Sequence, residues 1–407
     1  MAQNKKTDKP TGPLAGIRVL EIANVIAGPT ACQILGDYGA EIIKIEHPEG
    51  GDSSRTQGGR KDGVPLWWKV LGRNKRSVGM YLGDPEAAEV FLELVKTADV
   101  VVEGFRAGTL EKWNLGYDRL SSVNPKIILA RVSGFGQTGP YSHRPAFGTN
   151  IESLSGLPDL MGDPAGPPTM ATFALGDYFA AVTLTSAISM ALYHRDARGG
   201  TGQEIDLAIL APLIMLQTRP ILHLDQLGMR ETRRGNRSTG TAPRRAFKTK
   251  DSKWVNIAAA TAETAARIME MVERPEIANE PWFSSNGERL KHAELIDGAI
   301  ERWVAERTRH EVMRIAERSE VTLAPMYDIE EMFNDVHVRT AGFITGVEDK
   351  DLGQMNMPNV LFKLSGTPGQ IRWTGPELGD ATKEVLEGEL GLSAGRLEKL
   401  RQRKVLF

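Results

Sequence analysis

The 407-residue sequence predicts a doubly wound, Rossmann-like α/β domain that carries a smaller α+β domain within the same chain. Three observations predict it. The first 150 residues alternate short, β-branched apolar runs with helical segments. A basic, Gly-punctuated stretch at 230–245 then breaks the apolar patterning, and beyond it short strands mix with amphipathic helices. Continuous apolar strands separated by helices mark a parallel sheet covered on both faces, and at ~150 residues per domain the length fits two or three domains.

Ile17–Ile22 (IRVLEI) reads as the first buried strand, followed by a helix over Thr30–Tyr38 and a second strand, Glu41–Glu46 (EIIKIE). Asp84 caps a helix running to about Lys96, with Pro85 in the first turn, where its missing N–H costs nothing. Asp99–Glu103 (DVVVE) and Lys126–Val132 (KIILARV) supply two more strands. From Gly134 to Ala171 the chain is rich in Gly, Pro and Asp, and predicts ordered loops around a short helix near Ile151–Leu154. An apolar helix over Asp177–Arg195, a short strand at Gln203–Asp206 and a helix from Leu207 complete the large domain's first portion. The expected boundaries are the N-terminal part of a large domain at 1–229, a linker at 230–245, a small domain at 246–340, and a second linker with the C-terminal part of the large domain at 341–407. The small domain holds a strand at Trp254–Ala258 and helices at Leu295–Glu306 and His310–Arg318, and a helix over Ala381–Gln402 closes the chain.

Several function classes fall away. Fifty basic against fifty-two acidic residues leave a charge of −2, which argues against bulk adhesion to nucleic acid or anionic membrane. The single cysteine, Cys32, excludes a disulfide framework and fits a reducing, cytoplasmic setting. The opening MAQNKKTDKPTGP is too polar for a signal peptide, and the longest apolar run, Leu207–Leu216, is far short of the ~20 residues that span a bilayer. The turn after the first strand, ANVIAGPTACQILG, lacks G-x-G-x-x-G, and neither a P-loop nor a G-x-S-x-G elbow occurs. The seven histidines show no metal-ligand spacing, so no metal site is expected.

What remains is Gly166–Asp177 (GPPTMATFALGD), running into the helix YFAAVTLTSAISMAL. Asp177 sits where a Gly-Asp pair meets an apolar run, the pattern of a helix start, and its plain structural role is an N-cap worth about 1 kcal/mol. The same geometry serves chemistry. A carboxylate of ordinary pKa ~3.9 is ionised at neutral pH and attacks an activated acyl carbon without a general base. Free N–H groups and the positive helix end stabilise charge beside it.

Here the chain resembles the family III coenzyme A transferases, a group that includes formyl-CoA and carnitine-CoA transferases and α-methylacyl-CoA racemases. The resemblance runs from Pro13 to the C-terminus. It is carried by LAGIRVLEIANVIAGPTACQILGDYGAEIIKIEHPEGGD, LGRNKRSVGM, ADVVVEGFRAGTLEKW, NPKIILARVSGFGQTGPY, HRPAFGTNIESLSG, TGQEIDLAIL, TLAPMYDIEEMFND and the closing LGDATKEVLEGELGLSAGRLEKL, in the family's order. The resemblance implies that Asp177 is the catalytic nucleophile and that acyl-CoA and a carboxylic acid are the substrates, with no permanently bound cofactor. It implies that Ile26 and Ala27 approach the thioester and that His47 packs near the adenine. Met80, Leu82, Gly104, Phe105 and Arg106 would line the nucleotide, Lys112 would reach a phosphate, and Pro145, Ala146, Phe147 and Gly148 would stand beside pantetheine and the reacting centre. Lys75 and Arg76 are expected to add positive charge at the carboxyl ends of strands, where open α/β sheets bind ligands.

Departures from the family narrow the expectation. Racemases pair their aspartate with a histidine; the matching position here is Phe147, which cannot move a proton. The formyl-CoA branch has a glutamine where this chain has Ile26, a glutamate where it has Gly148, and a run of four glycines whose nearest equivalent here is Gly235–Pro243 (GNRSTGTAP). An apolar Ile26 points to a larger acid, and Arg237, Arg244 and Arg245 are candidates to pair with a second carboxylate. The resemblance also implies two chains threaded through each other in a homodimer, or a heteromer with a paralogous subunit.

Overall fold

The computed structural model describes residues 11–407; most of the polar opening that speaks against a signal peptide lies outside the described residues. Six strands form one parallel sheet: β1 (Arg18–Glu21), β2 (Glu41–Glu46), β3 (Lys75–Gly79), β4 (Val100–Glu103), β5 (Ile128–Ser133) and β6 (Glu204–Ala208). Their spatial order is β3-β2-β1-β4-β5-β6, with every neighbouring pair parallel. This doubly wound order reverses direction between β1 and β4, and the crevice at that switch point is where such sheets bind ligands.

The apolar strands bury both faces. Leu20, Ile43, Val78, Val101 and Leu129 point to one side, where α2 (Pro85–Val95) packs with Phe91 fully buried. Val19, Ile42, Val100, Val102, Ile128 and Ala130 point to the other, against α1 (Ala27–Asp37) and α4 (Leu175–Ala197); α3 (Gly148–Leu154) lies between β5 and α4 in sequence. Asp84 caps α2 as expected, accepting from the N–H groups of Glu86 and Ala87, with Pro85 at the helix start. By length and apolar composition α4 would cross a membrane, yet Ala180, Ala181, Leu184, Ile188, Ala191 and Leu192 spend that apolar stripe on the sheet and α1.

The chain divides into two compact units. The larger contains residues up to Leu157, Ala171–Ile221 and Thr340–Phe407, so the C-terminus returns to the sheet it helps to cover. There Val385, Leu386, Leu397 and Leu400 join the α2-side core, and Tyr81 N–H donates to Val405 O at 2.9 Å. The closing segment is two pieces, a π-helical turn at Glu384–Glu389 and a helix at Ala394–Gln402, because Gly391 takes a left-handed conformation (φ 69°) between them. The second unit comprises Pro158–Met170 and Leu222–Arg339. An antiparallel sheet of Leu323–Pro325, Trp254–Ala258 and Arg244–Lys248 packs there on helices including Ala262–Met271, Ala293–Ala305 and Arg309–Arg318. Phe247, Val255, Ile257, Ile268, Ile300 and Val312 are at its core. Arg233 is tied to Asp159 at 2.6 Å, which fastens the start of the basic stretch within that unit.

Candidate active site

Asp177 stands in the first turn of α4. The helix begins at Leu175, two residues earlier than its sequence pattern marks, and its N-cap position is Ala174, whose side chain makes no capping bond. The expectation that Asp177 caps the helix is therefore corrected. The cap comes from outside: Glu152, on the last turn of α3, is buried, and its Oε1 accepts from Gly176 N–H at 2.9 Å. A carboxylate at this end of a helix is favourable both as a charge-assisted acceptor and against the helix dipole. It satisfies the amide that an N-cap side chain would take, and leaves Asp177 free of that duty.

Gly148 opens α3 one turn before Glu152, so the two residues share a helix face toward α4. A Cβ at Gly148 would overlap Oδ2 of Asp177, so a larger residue there would push the carboxylate from this position. Burial pushes the Asp177 carboxyl up to about 6, and the nearby Glu152 carboxylate adds to the rise. At neutral pH Asp177 is thus ionised, but in a setting that disfavours its charge, which is how sites make a carboxylate reactive toward an electrophile.

The remaining expected residues all follow the carboxyl ends of strands. Ile26 and Ala27 come after β1, with Ala27 opening α1 and buried in the same apolar cluster as Ile151 and Ala180. Ala146 packs against that cluster, which brings the first loop, the segment before α3 and the base of Asp177's helix together. His47 follows β2, is exposed, and meets the Tyr81 ring edge-on at 5.0 Å. Met80 and Leu82 follow β3 with their side chains in the core, so a ligand there meets backbone. After β4 come exposed Gly104, Phe105 (edge-on to Trp113 at 5.0 Å), exposed Arg106, and Lys112 at the end of the short helix Thr109–Lys112. Pro145 is exposed, and Phe147, at the N-cap position of α3, is 75% exposed beside Gly148.

Lys75 and Arg76 lie elsewhere than expected. They open β3, so they stand at the amino edge of the sheet, and both are spoken for: Lys75 pairs with Glu21 at 2.8 Å, and Arg76 with Glu41 at 2.5 Å and Glu389 at 2.6 Å. In the second unit Arg237 pairs with the buried Asp297 at 2.9 Å and Arg245 reaches Glu301 at 3.4 Å, so both already hold carboxylates of the chain itself. Among the described residues no cluster of three or more His, Cys, Asp or Glu side chains is arranged to hold a metal ion.

The family model described as CoA-transferase family III matches residues 14–382. The chain belongs to CoA-transferase family III. Two curated relatives from Chloroflexus aurantiacus are similar over nearly their whole length. The succinyl-CoA–L-malate CoA-transferase beta subunit is 40% identical over 97% of this chain and 98% of its own. The succinyl-CoA–D-citramalate CoA-transferase is 37% identical over 98% and 100%. A crystal structure of a CAIB/BAIF family protein from Brucella suis shares the fold with a TM-score of 0.80 at 28% identity, covering 93% of this chain and all of that one. This family III CoA-transferase is therefore an enzyme that moves CoA between an acyl-CoA and an acid.

Two side chains that shape the candidate site escape sequence reasoning. Glu152 is one; its signal was the four-residue spacing from Gly148, which puts both on one helical face. Glu103 is the other. Its Oε2 accepts from Phe105 N–H at 2.6 Å and its Oε1 from Arg131 Nε at 2.7 Å, so it fixes the loop that leaves β4. Burial raises the Glu103 carboxyl to about 7, with Arg131 holding it back. Nothing in DVVVE distinguishes that glutamate from a strand-end charge.

Proposed function

We propose that the enzyme transfers CoA through covalent intermediates on Asp177. One oxygen of the ionised carboxylate attacks the donor thioester carbon and the C–S bond breaks, leaving a mixed anhydride and a CoA thiolate. The thiolate attacks the Asp177 carbonyl and expels the donor acid, which leaves with an oxygen that began on Asp177. The acceptor carboxylate then attacks the aspartyl-CoA thioester, and the released thiolate takes the acceptor's acyl group and restores Asp177. No proton moves at any step, so no general base is required, and the protein's tasks are alignment and exclusion of water from the anhydride. The observation that carries this reading is the half-buried Asp177 carboxylate, raised to about 6, against a glycine that leaves it room.

On this reading Ile26, Ala27, Pro145, Ala146, Phe147 and Gly148 surround the acyl end of the substrate. His47, Met80, Leu82, Gly104, Phe105, Arg106 and Lys112 receive the nucleotide end along the carboxyl edge of the sheet. No cofactor is held permanently. The donor is succinyl-CoA and the acceptor a small dicarboxylic acid, as the names of the similar relatives suggest. Phe147 carries no exchangeable proton, which sets racemisation aside.

The enzyme is a cytoplasmic, interlocked dimer of large α/β and small α+β domains. In support, Val182, Met190 and Tyr193 on α4 line an apolar groove of about 490 Å³ with Leu361 and Phe362, a surface suited to a partner chain. Relatives named as beta and alpha subunits match at 40% and 39%, which favours, as a second arrangement, pairing with a paralogue.

Incubation with succinyl-CoA and hydroxylamine tests the chemistry. Peptide mass spectrometry is expected to find a hydroxamate on Asp177 and none in Asp177→Asn, whose exchange activity should be lost. Full-speed exchange by Asp177→Asn would end the reading.

A further inference from the structure

The loop from β1 to α1 contains a backbone conformation that its sequence does not favour. Val25 has φ 71°. For a β-branched residue this left-handed region is a genuine outlier, and such strain persists only where the surroundings over-determine it. Three backbone atoms show what does so. Ala23 O accepts from Lys44 Nζ at 2.9 Å, Val25 N–H donates to Asp52 Oδ1 at 3.2 Å, and Pro29 O accepts from Lys75 Nζ at 2.7 Å. The loop is pinned before, within and after the strained residue.

The three pins belong to one buried network. Lys44 Nζ lies 2.7 Å from Glu21 Oε1 and 2.8 Å from Asp52 Oδ2, and Lys75 Nζ lies 2.8 Å from Glu21 Oε2; all four side chains are wholly buried. Glu21 on β1 and Lys44 on β2 are register partners, and Lys75 on β3 stands two positions before Ser77, the register partner of Lys44, so its long side chain reaches them along the same face. Asp52 N–H donates in turn to Glu46, which Arg55 and Ser77 hold. Burial would raise the Asp52 carboxyl, but the Lys44 ammonium beside it prevails and holds it at about 2. Buried ion pairs are weak stabilisers, since apolar side chains of equal volume often serve as well or better. A network that reaches three backbone atoms of one strained loop is better explained by the geometry it imposes.

We propose that the Glu21–Lys44–Asp52–Lys75 network positions the substrate loop at Asn24–Gly28, holding Val25 left-handed and so setting where Ile26 and Ala27 meet the acyl group. The inference rests on the reading of Ile26 and Ala27 as substrate-contacting residues given above. Asp52, Lys44 and Lys75 act through that loop and are positioning residues.

Val25→Gly and Asp52→Asn test it. Glycine is at ease at φ 71°, so Val25→Gly keeps its fold even if Asp52→Asn does not. Hydrogen–deuterium exchange of the segment 23–29 is expected to quicken by about tenfold or more in Asp52→Asn, which loses the charge paired with Lys44, and to change by less than about threefold in Val25→Gly, where all three backbone pins remain. Because misplacement of a reacting centre acts on the transition state, kcat per trapped Asp177 should fall at least about tenfold in Asp52→Asn while KM for the acyl-CoA stays within about threefold. Val25→Gly should melt at or above the parent temperature, as relief of an imposed strain requires. Parental kcat and unchanged segment exchange in Asp52→Asn, or about tenfold faster exchange in Val25→Gly with its pins in place, would overturn the proposal. Failure of hydroxylamine to label Asp177 in the parent would count against the covalent mechanism instead, and the exchange measurement would still judge the loop.

Discussion

Replacing Asp177 by asparagine should abolish turnover and make the protein more stable. The charged carboxylate is half-buried, and burial with the neighbouring Glu152 carboxylate moves it from 3.8 to about 6. A displacement of that size corresponds to about 3 kcal/mol of penalty on the ionised form. The sign follows from linkage. An acid whose folded pKa is raised binds its proton more tightly when folded, so the penalty is fully present above about pH 6. It shrinks as the pH falls through that value, and it is gone below about pH 4, where both folded and unfolded carboxyls are protonated. Asparagine has the same shape and no charge. Thermal or urea unfolding of the parent and Asp177→Asn, followed by circular dichroism at fixed protein concentration from pH 4 to 8, reads the difference. The variant is expected to lead by on the order of 2–3 kcal/mol at pH 7 and to converge with the parent near pH 4. A variant that is no more stable at pH 7, or whose advantage is the same at every pH, would refute the argument that the enzyme keeps this charge where it is costly.

Three further outcomes follow from the same geometry. Gly148→Ala should drive the Asp177 carboxylate from its place and lower kcat by about 100-fold, while circular dichroism stays that of the parent; unchanged turnover would mean the carboxylate tolerates displacement. Glu152→Gln keeps an acceptor for Gly176 N–H but removes the like charge beside Asp177, so the acid limb of the kcat–pH profile should move to lower pH; an upward or absent shift would contradict the coupling. With acceptor acid labelled in both carboxylate oxygens with ¹⁸O, one label should remain on Asp177 after the first turnover and leave on the donor acid of the next. Mass spectrometry finding the donor acid unlabelled over many turnovers would exclude the aspartyl route.

The features that local patterns report are those the chain could disclose. Apolar β1, β2, β4 and β5 read directly as strands because their side chains bury on both faces, and Asp84-Pro85 marks a helix start because a cap and its proline are neighbours. The family's motif order singles out Asp177, but its local pattern reads as a cap, whereas the acceptor at that helix start is Glu152, twenty-four residues before the Gly176 amide it takes. β3 hid for the same reason. KRSVG opens with two cations, and a lysine in a strand announces solvent until Glu21, fifty-four positions away, is placed 2.8 Å from it. Val25 shows the limit most sharply. Its own chemistry argues against the conformation it adopts, and the groups that impose it lie on β2, β3 and the turn after β2. Charge in this protein is paired over long sequence distances inside the sheet. The residues hardest to assign from the sequence are therefore the ones whose partners the fold alone supplies, and two of those pairings, Glu152 with Gly176 and Asp52 with Val25, bear on the candidate site.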